Sequence, residues 1–182
     1  MSTTIVFSDT RIPLRETATT LTIGHFATPR FGWSVTAGGI VAGSVDGRDF
    51  RGGATLGGSV AWLPVYERPS RPFVAGSASF GTALIRTIAG DGTARSWSAW
   101  DVRAGAIVGK TFLGRLVPYL AARVFGGPVF WYRQGASAIG SDRYHVTVGL
   151  GLTLRLPARF DATLEVMPLG EQSATAGVSL HF

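Results

Sequence analysis

The sequence predicts an all-β chain, an eight-stranded antiparallel up-and-down transmembrane β-barrel. Three observations carry that expectation. Apolar and polar residues alternate with period two from about residue 31 to the end. The alternating segments run about 9–13 residues, near the roughly 9–11 a tilted strand needs to cross a bilayer and beyond the usual globular strand of about 5–6. No run of about 18 apolar residues marks a transmembrane helix.

Each predicted strand follows from its own pattern. Phe31–Gly43 sets Trp33, Val35, Ala37, Gly39 and Val41 on one face, and Gly53–Leu63 aligns Ala54, Leu56, Gly58, Val60 and Trp62. Phe73–Ile85 groups Val74, Ala78, Phe80 and Leu84, and Trp97–Gly109 groups Trp100, Val102, Ala104, Ala106 and Val108 opposite Asp101, Arg103 and Gly105. Leu116–Phe125 sets Leu116, Leu120, Ala122 and Val124 against Tyr119, Ala121 and Arg123, and continues past a Gly126–Gly127–Pro128 bulge. Tyr144–Leu156 (YHVTVGLGLTLRL) is the plainest, with Tyr144 and six aliphatic residues facing His, Thr, Gly, Gly, Thr and Arg155. Phe160–Met167 alternates Phe160, Ala162, Leu164 and Val166 with Asp161, Thr163 and Glu165, and Ser173–Phe182 alternates Ala174, Ala176, Val178, Leu180 and Phe182 with small or polar residues. Tight turns at Lys110–Arg115 and Leu156–Arg159 contrast with looser polar connections at Ser44–Arg51, Arg86–Arg95 and Gln134–Asp142. Residues 1–30 do not join this pattern and are expected to be an N-terminal extension, periplasmic or lumenal, so that residues 31–182 form the barrel.

Composition narrows the solvent around such a barrel. Of 182 residues only 15% are charged, 25 are glycine and none is cysteine, which excludes disulfides and thiolate metal sites. A water-facing surface normally carries charge at about a quarter to a third of its positions. The net charge of +6 comes from sixteen arginines and Lys110, scattered singly, so no nucleic-acid partner is expected. The opening MSTTIVFSDTRIPLRE lacks the basic start and apolar core of a secretory signal, so an exported chain would be a mature form with an added initiator methionine.

Alternation alone fits either a soluble carrier barrel, greasy inside, or a membrane barrel, greasy outside. The polar face decides. It holds Gly, Ser, Thr and Ala with a few ions of both signs, which suits the crowded interior of a narrow barrel. Asp101, Arg103, Arg123, Arg155, Asp161 and Glu165 are therefore expected as a lumen ion-pair network, since enclosed ions are costly unless paired. The aromatics Trp33, Trp62, Phe160 and Phe182 fall at one end of their strands and Trp100 and Tyr144 at the other, as two rings at the membrane interfaces.

These features together resemble the small eight-stranded outer-membrane β-barrel proteins of Gram-negative bacteria, such as the OmpA transmembrane domain, OmpX and OmpW. The resemblance covers Phe31–Phe182 and includes the ending AGVSLHF. It implies that Phe182, Leu180 and Val178 form the signal read by the barrel-assembly machinery. It also implies periplasmic termini, extracellular loops and outer-membrane lipid and lipopolysaccharide as surroundings. No carboxylate pair, metal-spaced His/Asp cluster or phosphate loop is evident, so no enzyme, cofactor or metal is expected, and the chain is expected to be a monomer. The expected role is structural or in surface interaction through the loops. The alternatives are an OmpW-like conduit for small hydrophobic molecules lined by Phe125, Tyr119 and Ile107, a lipid A-modifying enzyme using Ser179, His181, His145 or Glu165, and a soluble lipocalin-like carrier.

Overall fold

The computed structural model describes residues 1–7, 10–45, 48–50, 52–88, 94–133 and 136–181. Thirteen strands form one antiparallel sheet: Ser2–Val6 (β1), Arg11–Thr28 (β2), Phe31–Val45 (β3), Arg48–Phe50 (β4), Gly53–Val65 (β5), Phe73–Ile88 (β6), Ala94–Gly109 (β7), Leu116–Gly126 (β8), Pro128–Arg133 (β9), Ala136–Asp142 (β10), Val146–Arg155 (β11), Phe160–Leu169 (β12) and Ser173–Leu180 (β13). All eight predicted segments are strands, with ends shifted by up to three residues. Residues 1–30 are not an extension: they supply β1 and β2, and β2 is the longest strand described, 18 residues paired along β3. The polar connections around Ser44, Arg86 and Gln134 are also shorter than expected, because β3, β4, β6, β7 and β10 run into them.

The sheet curls on itself. β7 pairs with β6 on one edge and with both β8 and β9 on the other, and the order β7-β6-β5-β3-β2-β1-β10-β9 returns to β7 as a ring of eight. From the lower part of β7 the sheet branches through β8, β11 and β12 to β13, whose far edge has no partner strand among the described residues. The ring therefore contains β1, β2, β9 and β10 in place of β8, β11, β12 and β13, a different set of eight from the one the alternation suggests. Connections β2–β3, β5–β6, β7–β8 and β11–β12 lie at one end, the turn end; β1–β2, β3–β4, β6–β7 and β9–β10 lie at the other, the loop end, and the remaining connections lie between the two. At the turn end the Thr28 hydroxyl accepts the N–H groups of Arg30 and Phe31, closing the β2–β3 hairpin.

The strands carry two storeys. At the loop end the apolar side chains point inward. Ile5, Phe7, Ile12, Leu14, Ile40, Val45, Ile85, Trp97, Val129 and Trp131 form one buried cluster. Its aromatic centre is close-packed, with Trp97 5.7 Å from Trp131 and 6.2 Å from Phe7 between ring centroids. Arg11, Pro13, Arg15, Arg86 and Ser96 are exposed on the outside of this storey, with Phe130 and Ile139 as apolar exceptions.

Towards the turn end the pattern inverts. Leu21, Val35, Leu56, Val102, Leu120, Leu150 and Leu164 point outward and are each more than half exposed. Inside, hydroxyls pair across strands, Thr22 with Thr36 at 2.8 Å, Ser34 with Ser59 at 2.7 Å and Thr153 with Thr163 at 3.2 Å. In β3 the change coincides with a bulge: Thr17 faces Ala42 and Ala18 faces Ile40, which leaves Val41 as the extra residue.

Candidate functional site

The ions of the interior gather where the two storeys meet. Arg103 stands on the inward face of β7. Its Nε donates to Asp101, and its two terminal nitrogens donate to Glu171 at 3.2 and 2.9 Å, the fork-to-fork geometry that makes Arg–carboxylate pairs strong. The guanidinium also lies 5.1 Å over the Phe125 ring. Glu171 is 3% exposed and comes from the β12–β13 connection rather than from a strand. Gly170 takes φ +84° to turn the chain there, and Thr147 Oγ1 donates to the Leu169 carbonyl at 2.7 Å to pin the connection inward.

A second pair lies on β8 and β12. Arg123 donates to both oxygens of Glu165 at 2.8 and 2.7 Å, and the Tyr119 hydroxyl adds a third bond at 3.2 Å. Both pairs join segments far apart in sequence, Arg103 of β7 with the β12–β13 connection and Arg123 of β8 with Glu165 of β12, and each neutralises a charge of the interior.

The expected network thus divides. Asp101 and Arg103 belong to one pair, Arg123 and Glu165 to another, and these two do not share a residue. Asp161 instead meets His181 Nε2 at 3.0 Å at the turn end. Arg155 is exposed and has no ion pair among the described residues; its N–H donates to the Arg115 carbonyl. Glu171 was not anticipated. Its only sequence signal is an acidic residue directly after a glycine in a turn, where a solvated role is the usual reading.

Of the aromatics expected at two rims, Trp33, Trp62, Trp100, Tyr144 and Phe160 are 38–46% exposed. Val178 and Leu180 are exposed too, and Phe182 lies outside the described residues. No family model matches the chain. Neither does any curated protein or solved structure.

The remaining candidates are engaged elsewhere. His145 Nδ1 contacts the Phe125 carbonyl at 3.2 Å, Glu165 is held by Arg123 and Tyr119, and no hydrogen bond joins Ser179 to His181. Phe125 is buried beneath Arg103 and Tyr119 is tied to Glu165. Among the described residues no group of three or more His, Cys, Asp or Glu is placed to hold a metal. At the turn end the β5–β6 and β7–β8 connections are clasped together. Glu67 accepts the Thr111 N–H at 2.8 Å and hydroxyl at 2.7 Å, which holds its carboxyl below the ordinary range, and Lys110 Nζ donates to the Pro69 carbonyl at 2.6 Å.

Proposed function

We propose that the chain is a bacterial outer-membrane β-barrel with an occluded interior, acting as a structural or surface-interaction protein through its loop end. One observation carries the reading, the inversion within single strands. In β7, Trp97 is 1% exposed and faces inward with Ser96 outside, yet from Trp100 through Val102 to Val108 the outward residues are apolar while Asp101, Arg103 and Gly105 face in. A strand wholly in water has no reason to reverse its apolar face midway, whereas a strand that leaves lipid for water must do so. The apolar outer rows suit a belt: from Trp33 to Val41 the strand climbs about 26 Å, or about 20 Å after tilting by about 40°, near the ~25 Å apolar band of membrane barrels.

The loop-end storey then stands in water, with its core of Trp97, Trp131 and Phe7 closing the axis. Occlusion by a packed core favours the structural role over a conduit. On this reading the partners are outer-membrane lipid and lipopolysaccharide around the belt and the barrel-assembly machinery during insertion. Purification tests it: the chain should need detergent to stay dispersed, should migrate faster unboiled than boiled on SDS gels, and should give no steady conductance in planar bilayers. A detergent-free monodisperse chain contradicts the membrane location, and a large steady conductance contradicts occlusion.

A further inference from the structure

Below β1 the wall has a seam. Among the described residues, β2 from Thr17 to Thr28 pairs only with β3 and β13 pairs only with β12, so two free edges border the opening. Between them lie eight antiparallel steps through β3, β5, β6, β7, β8, β11 and β12, and an even number of reversals means that β2 and β13 run in the same direction. They can join each other only as a parallel pair, which no other pairing in this sheet is.

At its upper end the seam is already filled by one strand. Ser2 of β1 sits opposite Arg15 of β2 and, on its other side, opposite Gln172 at the head of β13, both in antiparallel register. Ser2 exchanges two backbone bonds with Gln172, at 2.7 and 3.1 Å, while the Met1 amino group donates to the Glu16 carbonyl at 2.9 Å. At that level the opening is thus one strand wide, two spacings or about 9.6 Å between the flanking strands. An open cavity of about 830 Å³ adjoins this level, lined by Met1 and Ser2, by Glu16 on the β2 side, by Met167 and Ser173 on the β12–β13 side, and reaching Ser44 of β3.

We propose that the seam is a strand-acceptor slot: one extended segment of a partner polypeptide inserts between β2 and β13 along the line of β1, antiparallel to both. The flanks define its side chains. Outward neighbours are Leu21, Ile23, Val178 and Leu180, and inward neighbours are Thr20, Thr22, Thr175 and Ser179, so the segment alternates apolar residues outward with small or hydroxyl residues inward. A second copy inserted in the same membrane orientation offers only edges running the same way, and so cannot supply the antiparallel strand. The slot follows from strand order and does not depend on what surrounds the belt.

Cysteine pairs test it cleanly, because the chain has no cysteine of its own. Leu21 and Val178 lie six residues beyond Arg15 and Gln172, so Leu21→Cys with Val178→Cys places two thiols across the seam at one height. A slot one strand wide is too broad for a disulfide, which needs Cα atoms within about 7 Å, and is spanned by a bis-maleimide of about 10 Å. Fusing a ten-residue Thr–Val repeat ahead of Met1 presents a strand at high local concentration; it should cut maleimide bridging about tenfold or more and slow amide exchange in Thr17–Thr28 by a similar factor. Thr19→Cys with Ala176→Cys repeats the test if the first pair fails to fold. A disulfide in the unfused chain, no bridging by the long reagent, or bridging and exchange unchanged by the fusion each overturns the proposal.

Discussion

Arg103 and Glu171, 68 residues apart in sequence, meet in a two-bond pair that ties β7 to the β12–β13 connection across the interior. With Glu171 almost wholly buried, neither partner is expendable alone. In an Asp101→Asn background, which removes the second carboxylate on Arg103, Arg103→Met should destabilise the fold by about 3–5 kcal/mol by stranding Glu171, whereas Arg103→Met with Glu171→Met in the same background should recover most of that loss. Denaturant unfolding in detergent micelles measures both. Equal losses in the single and double variants would show that the pair is not coupled.

Leu120 is 65% exposed on β8. On a surface in water, Leu120→Arg changes stability by less than about 0.5 kcal/mol. Facing the middle of a bilayer, the same change costs about 2–4 kcal/mol. Unfolding of the variant in lipid vesicles is expected to show the larger figure, and Arg11→Leu at the loop end the smaller.

Trp97 lies at the centre of the loop-end core. Trp97→Ala should cost about 3–5 kcal/mol, as large-to-small core changes do. Because this core also closes the axis, the variant should admit ions in planar bilayers where the parent chain does not. A stable variant that remains closed would place the occlusion elsewhere.

The Glu67–Thr111 clasp responds to acid. The folded pKa of Glu67 lies below its ordinary 4.5, so the clasp contributes fully above 4.5 and is lost as the pH falls through the lower folded value. Thr111 amide protection, followed by exchange, should persist at pH 5 and disappear in stronger acid. In Glu67→Gln the same amide should show no such acid transition.

The lower storey was legible in the sequence because one rule governs it. Val102, Leu120, Val146 and Leu164 fall on the outward face of their strands, and the alternation located all of these strands. The loop-end storey obeys the opposite rule, which a single alternation does not describe. In β2, Ile12 and Leu14 are apolar at even positions because they face a core, and Leu21 and Ile23 are apolar at odd positions because they face outward. The two phases cancel over the strand, and its threonines blur what remains, so an 18-residue strand carries no net period-two signal. The Val41 bulge does the same in β3. Among the ions, Arg123 and Glu165 are legible because alternation sets them opposite the outward Leu120, Val124 and Leu164. Glu171 was hidden because a connection, not a strand, carries it inward. For Arg155 and Asp161 parity alone points to the interior, and parity does not register that both lie beside the β11–β12 turn.

The most direct test of the inverted strand follows β7 outward, residue by residue. Single cysteines at Ser96, Val102, Ala104 and Ala106, in a chain with no other thiol, can be labelled with a charged maleimide after reconstitution into lipid vesicles. The account predicts rapid labelling at position 96 and strong protection at 102, 104 and 106, with that protection gone once the lipid is removed and the chain unfolded. Equal labelling at all four positions in vesicles would contradict it.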